Sequence, residues 1–219
     1  MLKAILFDLD GTLANTDPLH FKIWQDLLRE QGIEMDRDTY KSKISGRQNP
    51  EIIQDLLPHL SSTESDQFAE YKEQLFREQA LNLEPLPGFL ELLEWIEHRP
   101  LKTAVVTNAP LKNADFMLKA LNLKERFKTV VLGEEMTAGK PDPAPYQFCL
   151  EQLEIQASEA IVFEDSPSGI RSATGAGIDT IGVASTHAPE QLKQLGVSLV
   201  IDDFHDVEMW KKIRSYSAD

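Results

Sequence analysis

The feature that most constrains this chain is a regular alternation of short apolar runs with amphipathic helical stretches. The runs are Lys3 to Leu9, Leu101 to Thr107, Thr129 to Leu132, Ala160 to Phe163, Thr180 to Val183 and Ser198 to Ile201. Most carry β-branched residues and end in polar or glycine positions, the pattern of strands buried on both faces. Between them, Phe89, Leu92, Leu93 and Ile96 recur at helical spacing, as do Phe116, Met117, Leu118 and Leu121, and then Tyr146, Phe148, Leu150 and Leu153 in a helix expected over 144–153. Strand alternating with helix requires a parallel sheet with helices on both faces, because a parallel connection must cross over. The fold expected is α/β, a parallel sheet covered by helices on both faces.

One stretch breaks the alternation. From about Asn15 to Leu83 no convincing strand appears, and three amphipathic faces follow one another: Leu19, Ile23, Trp24, Leu27 and Leu28; Ile52, Ile53, Leu56 and Leu57; Phe68, Tyr71, Leu75 and Phe76. This predicts a small all-helical cap domain, residues 15–83, inserted after the first strand of a core domain made of 1–14 and 84–219. Glu84-Pro85-Leu86-Pro87-Gly88 reads as the return hinge.

Composition narrows the partners. With 36 acidic against 22 basic residues, the formal charge is −14, and no basic run offsets it. Nucleic acid and anionic membrane surfaces are therefore not expected partners, and an anionic substrate needs a locally positive pocket. The single cysteine, Cys149, lies in the helix over 144–153 with no activating base near it in sequence, so it reads as a buried structural thiol. No stretch has the length of a membrane span and no signal-like segment precedes Asp8. A soluble, cytoplasmic monomer is the expectation.

In an open parallel sheet, ligands bind beyond the carboxyl ends of the strands. Four groups of polar residues fall there: Asp8-Leu9-Asp10-Gly11-Thr12, Thr107-Asn108, Gly139-Lys140-Pro141-Asp142 and Glu164-Asp165-Ser166. Each alone has an ordinary structural explanation, as a turn, a helix cap or a solvated loop. Together they place several carboxylates beside one ammonium. Gathered carboxylates repel and raise one another's pKa, which a hard, oxygen-ligated cation such as Mg²⁺ relieves. One aspartate can then attack phosphorus while the other moves protons, with Lys140 and the Thr107 hydroxyl stabilising the spread charge of the transferring group.

The Asp-x-Asp-Gly-Thr opening after an apolar strand, with the three later groups in order, resembles the haloacid dehalogenase superfamily of phosphotransferases over nearly the whole chain. Within it the sequence looks like the β-phosphoglucomutase-like branch, whose helical cap follows the first strand, and the resemblance implies a Rossmann-like doubly wound parallel sheet core with an active site closed by that cap. The resemblance implies Asp8 as nucleophile and Asp10 as general acid/base, and Thr107 and Lys140, with Leu9 and Asn108, as phosphate-binding positions. It implies Mg²⁺ held by Asp8, the Asp10 carbonyl and Asp165, with Glu164 touching it directly or through water. In the cap it implies that Thr16 and His20 position the acid/base, that Lys43, Gly46 and Arg47 form a substrate loop whose arginine grips the phosphate that is not transferred, and that Lys72 and Asn113 contact the hinge and substrate. His20, Lys72 and Asn113 also suit a partly buried imidazole, a surface charge and a turn cap.

The second aspartate, Asp10, argues against dehalogenation, since haloacid dehalogenases lack it. The phosphoryl acceptor stays open between water and a sugar hydroxyl. Thr12, where the mutases usually carry valine, and Ile44-Ser45-Gly46 before Arg47, where the mutase reads Gly-Val-Ser, lean toward a sugar-phosphate phosphatase over β-phosphoglucomutase. A non-catalytic phosphate-binding module is the reading from another class, and it would not need both aspartates and the lysine.

Overall fold

The structure is a computed structural model that describes residues 1–216. Six strands, β1 (Ala4–Phe7), β2 (Lys102–Thr107), β3 (Thr129–Leu132), β4 (Ala160–Glu164), β5 (Asp179–Val183) and β6 (Leu199–Ile201), form one sheet in the order β3-β2-β1-β4-β5-β6. Every pairing is parallel; Phe7 lies opposite Val105 on one side and Phe163 on the other. The chain winds outward from β1 in one direction through β2 and β3, then returns to wind the other way. The carboxyl end of β1 is thus the topological switch point, where the connections diverge and leave a crevice.

All six predicted strands form, because each is an apolar run that can be buried on both faces. Ala4, Leu6, Ala104, Val106 and Val162 pack on one side of the sheet; Ile5, Phe7, Val105, Ile161 and Phe163 pack on the other, where Phe7 stacks on Phe163 at 5.4 Å. Cys149 is fully buried in the first of these layers, and burial pushes its thiol up to about 12, as an inert structural thiol requires.

After β1 come four helices: α1 (Asp17–Glu30), α2 (Arg37–Lys43), α3 (Asn49–Leu56) and α4 (Ser62–Gln79). Trp24, Leu28, Tyr40, Ile52, Ile53 and Leu57 bury one another in a core of their own, while Ile23, Leu27 and Phe76 join the core beneath the sheet. The two chain crossings that lead in and out of these helices are pinned side by side, with Leu86 N–H donating to Leu13 C=O at 2.8 Å. Then follow α5 (Phe89–Glu97), α6 (Leu111–Ala120), α7 (Ala144–Leu153), α8 (Pro167–Gly175), α9 (Pro189–Lys193) and α10 (Val207–Ser215).

Two helix faces differ from the periodicity. On α4, Tyr71 is 51% exposed, whereas Lys72 and Glu73 are buried. On α7, Phe148 is exposed and Cys149 takes the inward position. Apolar spacing identifies a helix but does not say which of two adjacent positions points inward; on α4 the Lys72–Glu73 ion pair takes the inward positions.

Candidate active site

The crevice at the end of β1 is lined by Asp8, Asp10, Thr107, Lys140 and Asp165 from the sheet side and by residues of α1, α3 and α4 from the other. Asp8 follows β1 directly, and its backbone N–H donates to Phe163 C=O at 3.0 Å. Asp10 lies beyond it because Gly11, at φ +82°, turns the chain. A Cβ at Gly11 would stand 2.2 Å from Asp165 Oδ2, so this glycine also makes room for the carboxylate from β4.

Lys140 is the electrostatic centre. Its Nζ donates to Asp8 Oδ1 at 2.6 Å, to Glu164 Oε1 at 2.5 Å and to Val106 C=O at 2.6 Å. The side chain is almost wholly buried. Burial works to lower its pKa, but the Asp8 and Glu164 charges outweigh that and hold the ammonium above its ordinary range. Tyr146 donates its hydroxyl to the same Glu164 oxygen at 2.9 Å. Gly169 leaves the space that the Glu164 carboxylate fills.

One lysine cannot balance three buried carboxylates. Asp8, Glu164 and Asp165 each offer an oxygen, and the three lie within 4.8 Å of one another. Burial, opposed by Lys140 and aided by repulsion from Glu164, pushes Asp8 up to about 8. Burial and then the charges of Asp8 and Glu164 push Asp165 well above the carboxylate range. A set of oxygen donors with this excess negative charge fits a hard divalent cation. Asp165 is held from behind: Thr186 Oγ1 donates to its Oδ2 and Thr12 Oγ1 to its Oδ1, the latter at 3.4 Å.

Asp10 has different neighbours. Its Oδ1 accepts from Thr16 Oγ1 at 2.7 Å and from His20 Nε2 at 3.1 Å. An ionised carboxylate only accepts, so Nε2 carries the hydrogen, and the other ring nitrogen, Nδ1, accepts from Lys72 Nζ at 3.0 Å. The imidazole is stacked on Phe76 at 4.3 Å between ring centres, which fixes its plane. Burial works to raise Asp10, yet the His20 and Thr16 hydrogen bonds outweigh it and hold the carboxyl below its usual value.

The remaining predicted positions divide. Asn108 ties the two sides together: its Nδ2 donates to Gly46 C=O at 3.1 Å and to Lys140 C=O at 2.9 Å, while its Oδ1 accepts from Lys140 N–H. Thr107 lines the crevice and accepts from Ala109 N–H at 2.9 Å. Leu9 is fully buried, so only its backbone can face a ligand. Lys72 is buried against His20 and Glu73, and is not a surface charge. Asn113 is likewise buried at the cavity wall and is not a turn cap. Arg47 lines the cavity but pairs with Asp55 at 2.8 Å and Glu51 at 3.5 Å. Lys43, expected in the substrate loop, is exposed and does not line the cavity; its carbonyl accepts from Arg47 Nη1 at 2.9 Å.

Sequence reasoning missed Glu73, Thr186 and Tyr146. Tyr146 was legible only as an apolar helix position. The one available signal for Glu73 was a second charged residue on the inward face of α4.

A parallel sheet whose switch point gathers three acids around one lysine, with a fourth acid set apart on hydrogen bonds, defines a class of hydrolases. The haloacid dehalogenase-like hydrolase model matches residues 5–183, and the chain belongs to that family. It is 33% identical to the phosphorylated carbohydrates phosphatase of Thermotoga maritima, covering 82% of this chain and 84% of the relative. It is 30% identical to the fructose-1-phosphate phosphatase YqaB of Escherichia coli, covering 82% and 95%. Among solved structures it superposes on the β-phosphoglucomutase of Clostridium difficile with a TM-score of 0.86 and 25% identity, covering 99% and 98%. No helix among the described residues is long and apolar enough to cross a membrane.

Proposed function

We propose that this protein is a Mg²⁺-dependent phosphohydrolase of small phosphorylated metabolites, sugar phosphates foremost, acting through an aspartyl-phosphate on Asp8. The observation that carries the reading is the contrast between the two aspartates of one turn. Asp8 is bound to Lys140 inside the acid cluster, while Asp10 is held apart by Thr16 and His20. The phosphatase relatives support the substrate class.

Asp8, Glu164 and Asp165, with the Asp10 carbonyl, would hold the cation. When bound it neutralises these carboxylates and the phosphoryl oxygens and keeps Asp8 ionised as a nucleophile. Asp8 Oδ attacks phosphorus and the ester oxygen leaves. Lys140 stays within reach of the charge that spreads over the phosphoryl oxygens, and Thr107 and the Leu9 backbone complete the cradle. Asp10 delivers a proton to the leaving oxygen. Its depressed pKa in the free site suits the later step, in which it takes a proton from the attacking water. The arriving phosphoryl anion raises that pKa for the first step. Residues 15–83 act as a cap over the core of 1–14 and 84–219, and closure excludes bulk water.

Water is the acceptor in this reading. A mutase must grip a second phosphate, and Arg47, the residue the resemblance assigns to that task, is held by Asp55 and Glu51. The test is direct. With Mg²⁺, β-glucose 1-phosphate and a trace of the bisphosphate, inorganic phosphate is expected. Rapid glucose 6-phosphate with little free phosphate overturns the reading. Asp8→Asn is expected to abolish turnover of p-nitrophenyl phosphate, and unchanged turnover removes Asp8 from its role.

A further inference from the structure

The cavity wall formed by α4 carries a carboxylate that the phosphoryl chemistry does not use. Glu73 is 5% exposed and lines the same cavity as Asp8 and Asp10. Its Oε1 accepts from Asn49 Nδ2 at 2.6 Å and from Lys72 Nζ at 2.7 Å, and its Oε2 accepts from Asn113 Nδ2. Those donors come from α3, α4 and α6, so three elements hold the group in place. Asn113 is fixed in turn by Arg77 Nη1, which donates to its Oδ1 at 2.6 Å. Burial works to raise Glu73, but the Lys72 charge and the Asn49 hydrogen bond outweigh it and hold the carboxyl below its usual value.

An ionised carboxylate only accepts hydrogen bonds, at about four lone-pair sites, and three are taken. A sugar hydroxyl can donate to the fourth. A phosphate dianion or a carboxylate has no hydrogen to offer and would leave that lone pair unmatched. Among the described lining cations Lys72 is engaged by Glu73 and Lys140 by Asp8 and Glu164, while Arg47 pairs with the exposed Asp55.

We propose that Glu73 is a specificity-determining residue that selects a neutral, polyhydroxylated leaving group carrying a single phosphoryl and rejects a second anionic group. This rests on the phosphohydrolase reading, and a binding measurement separates the two. Calorimetric titration of the Asp8→Asn variant with fructose 1-phosphate and fructose 1,6-bisphosphate reads preference without turnover. The monophosphate is expected to bind tighter by about tenfold or more. Adding Glu73→Gln is expected to bring the ratio to within about threefold, chiefly by tightening the bisphosphate, while Glu73→Asp keeps the preference. Equal binding of the two sugars to the Asp8→Asn protein, binding of neither, or a ratio that Glu73→Gln leaves unmoved overturns the proposal. Should Glu73→Gln fail to fold by circular dichroism, Glu73→Met removes the same carboxylate with an apolar chain of similar length. It is expected to narrow the ratio in the same way, and an unchanged ratio overturns the proposal equally. A wild-type enzyme that hydrolyses nothing while its Asp8→Asn variant still prefers the monophosphate would sink the phosphohydrolase reading alone.

Discussion

Lys140 Nζ lies 2.6 Å from Asp8 Oδ1 with both groups buried, and the same ammonium also serves Glu164. Breaking a buried pair by removing one partner strands the other charge, at a cost of about 3–5 kcal/mol. Lys140→Met is therefore expected to lower apo stability by an amount of that order in urea denaturation, and to reduce kcat by about a thousandfold or more, since it also removes a charge from the transferring group. Stability and kcat both near wild type would show that the lysine is peripheral.

Stability in Mg²⁺ should depend on pH with a definite sign. Asp8 has its pKa raised from 3.8 to about 8 in the folded, metal-free protein. A raised folded pKa means that the group's contribution is intact below about pH 4 and is lost as pH rises through about 8. A bound cation takes the place of the proton. The rise in Tm produced by millimolar Mg²⁺ is expected to grow from about pH 6 to about pH 8. A rise that is the same at both ends, or none at either, contradicts the cluster as a metal site.

Asp10 is expected to matter most where the leaving oxygen is most basic. Asp10→Asn should cost a sugar phosphate about tenfold more in kcat than p-nitrophenyl phosphate, whose phenolate leaves without a proton. Equal losses, measured side by side, would contradict its role as acid. Thr16→Val, which removes the 2.7 Å bond to Asp10, should reproduce the pattern in weaker form.

Gly11→Ala tests the turn between the two aspartates. Its φ of +82° strains any Cβ, and that Cβ would strike Asp165 Oδ2. A loss of at least about 1–2 kcal/mol in stability is expected, together with a weaker apparent Mg²⁺ constant in activity titrations. An alanine variant with wild-type Mg²⁺ dependence would mean that Asp165 is not held where the metal binds.

Much of this architecture is readable along the chain. The helix over 144–153 and the strand over 129–132 form with the predicted bounds, and the other strands shift only slightly at their ends, because apolar period and flanking polar residues act over a few neighbours. The site's core was readable for a related reason. A parallel sheet brings every strand's carboxyl end to one edge, so Asp8, Thr107, Glu164 and Asp165 had to be neighbours once the strands were placed.

Side-chain direction was a different matter. On α4 the expected apolar position Tyr71 is exposed, while Lys72, which suited either a hinge contact or a surface charge, and Glu73, which no sequence pattern marked, are buried. Tyr146 with Glu164, Thr186 with Asp165 and Glu73 with Asn113 pair across 18, 21 and 40 residues. No local pattern links such partners, because each pairing depends on how whole helices pack against the sheet and against one another. Local pattern along the chain thus determines the parallel sheet, its helices and the catalytic edge. Packing alone decides which charges are buried together, since the cost of desolvating a carboxylate exists only once the neighbours that exclude water and supply its donors have arrived.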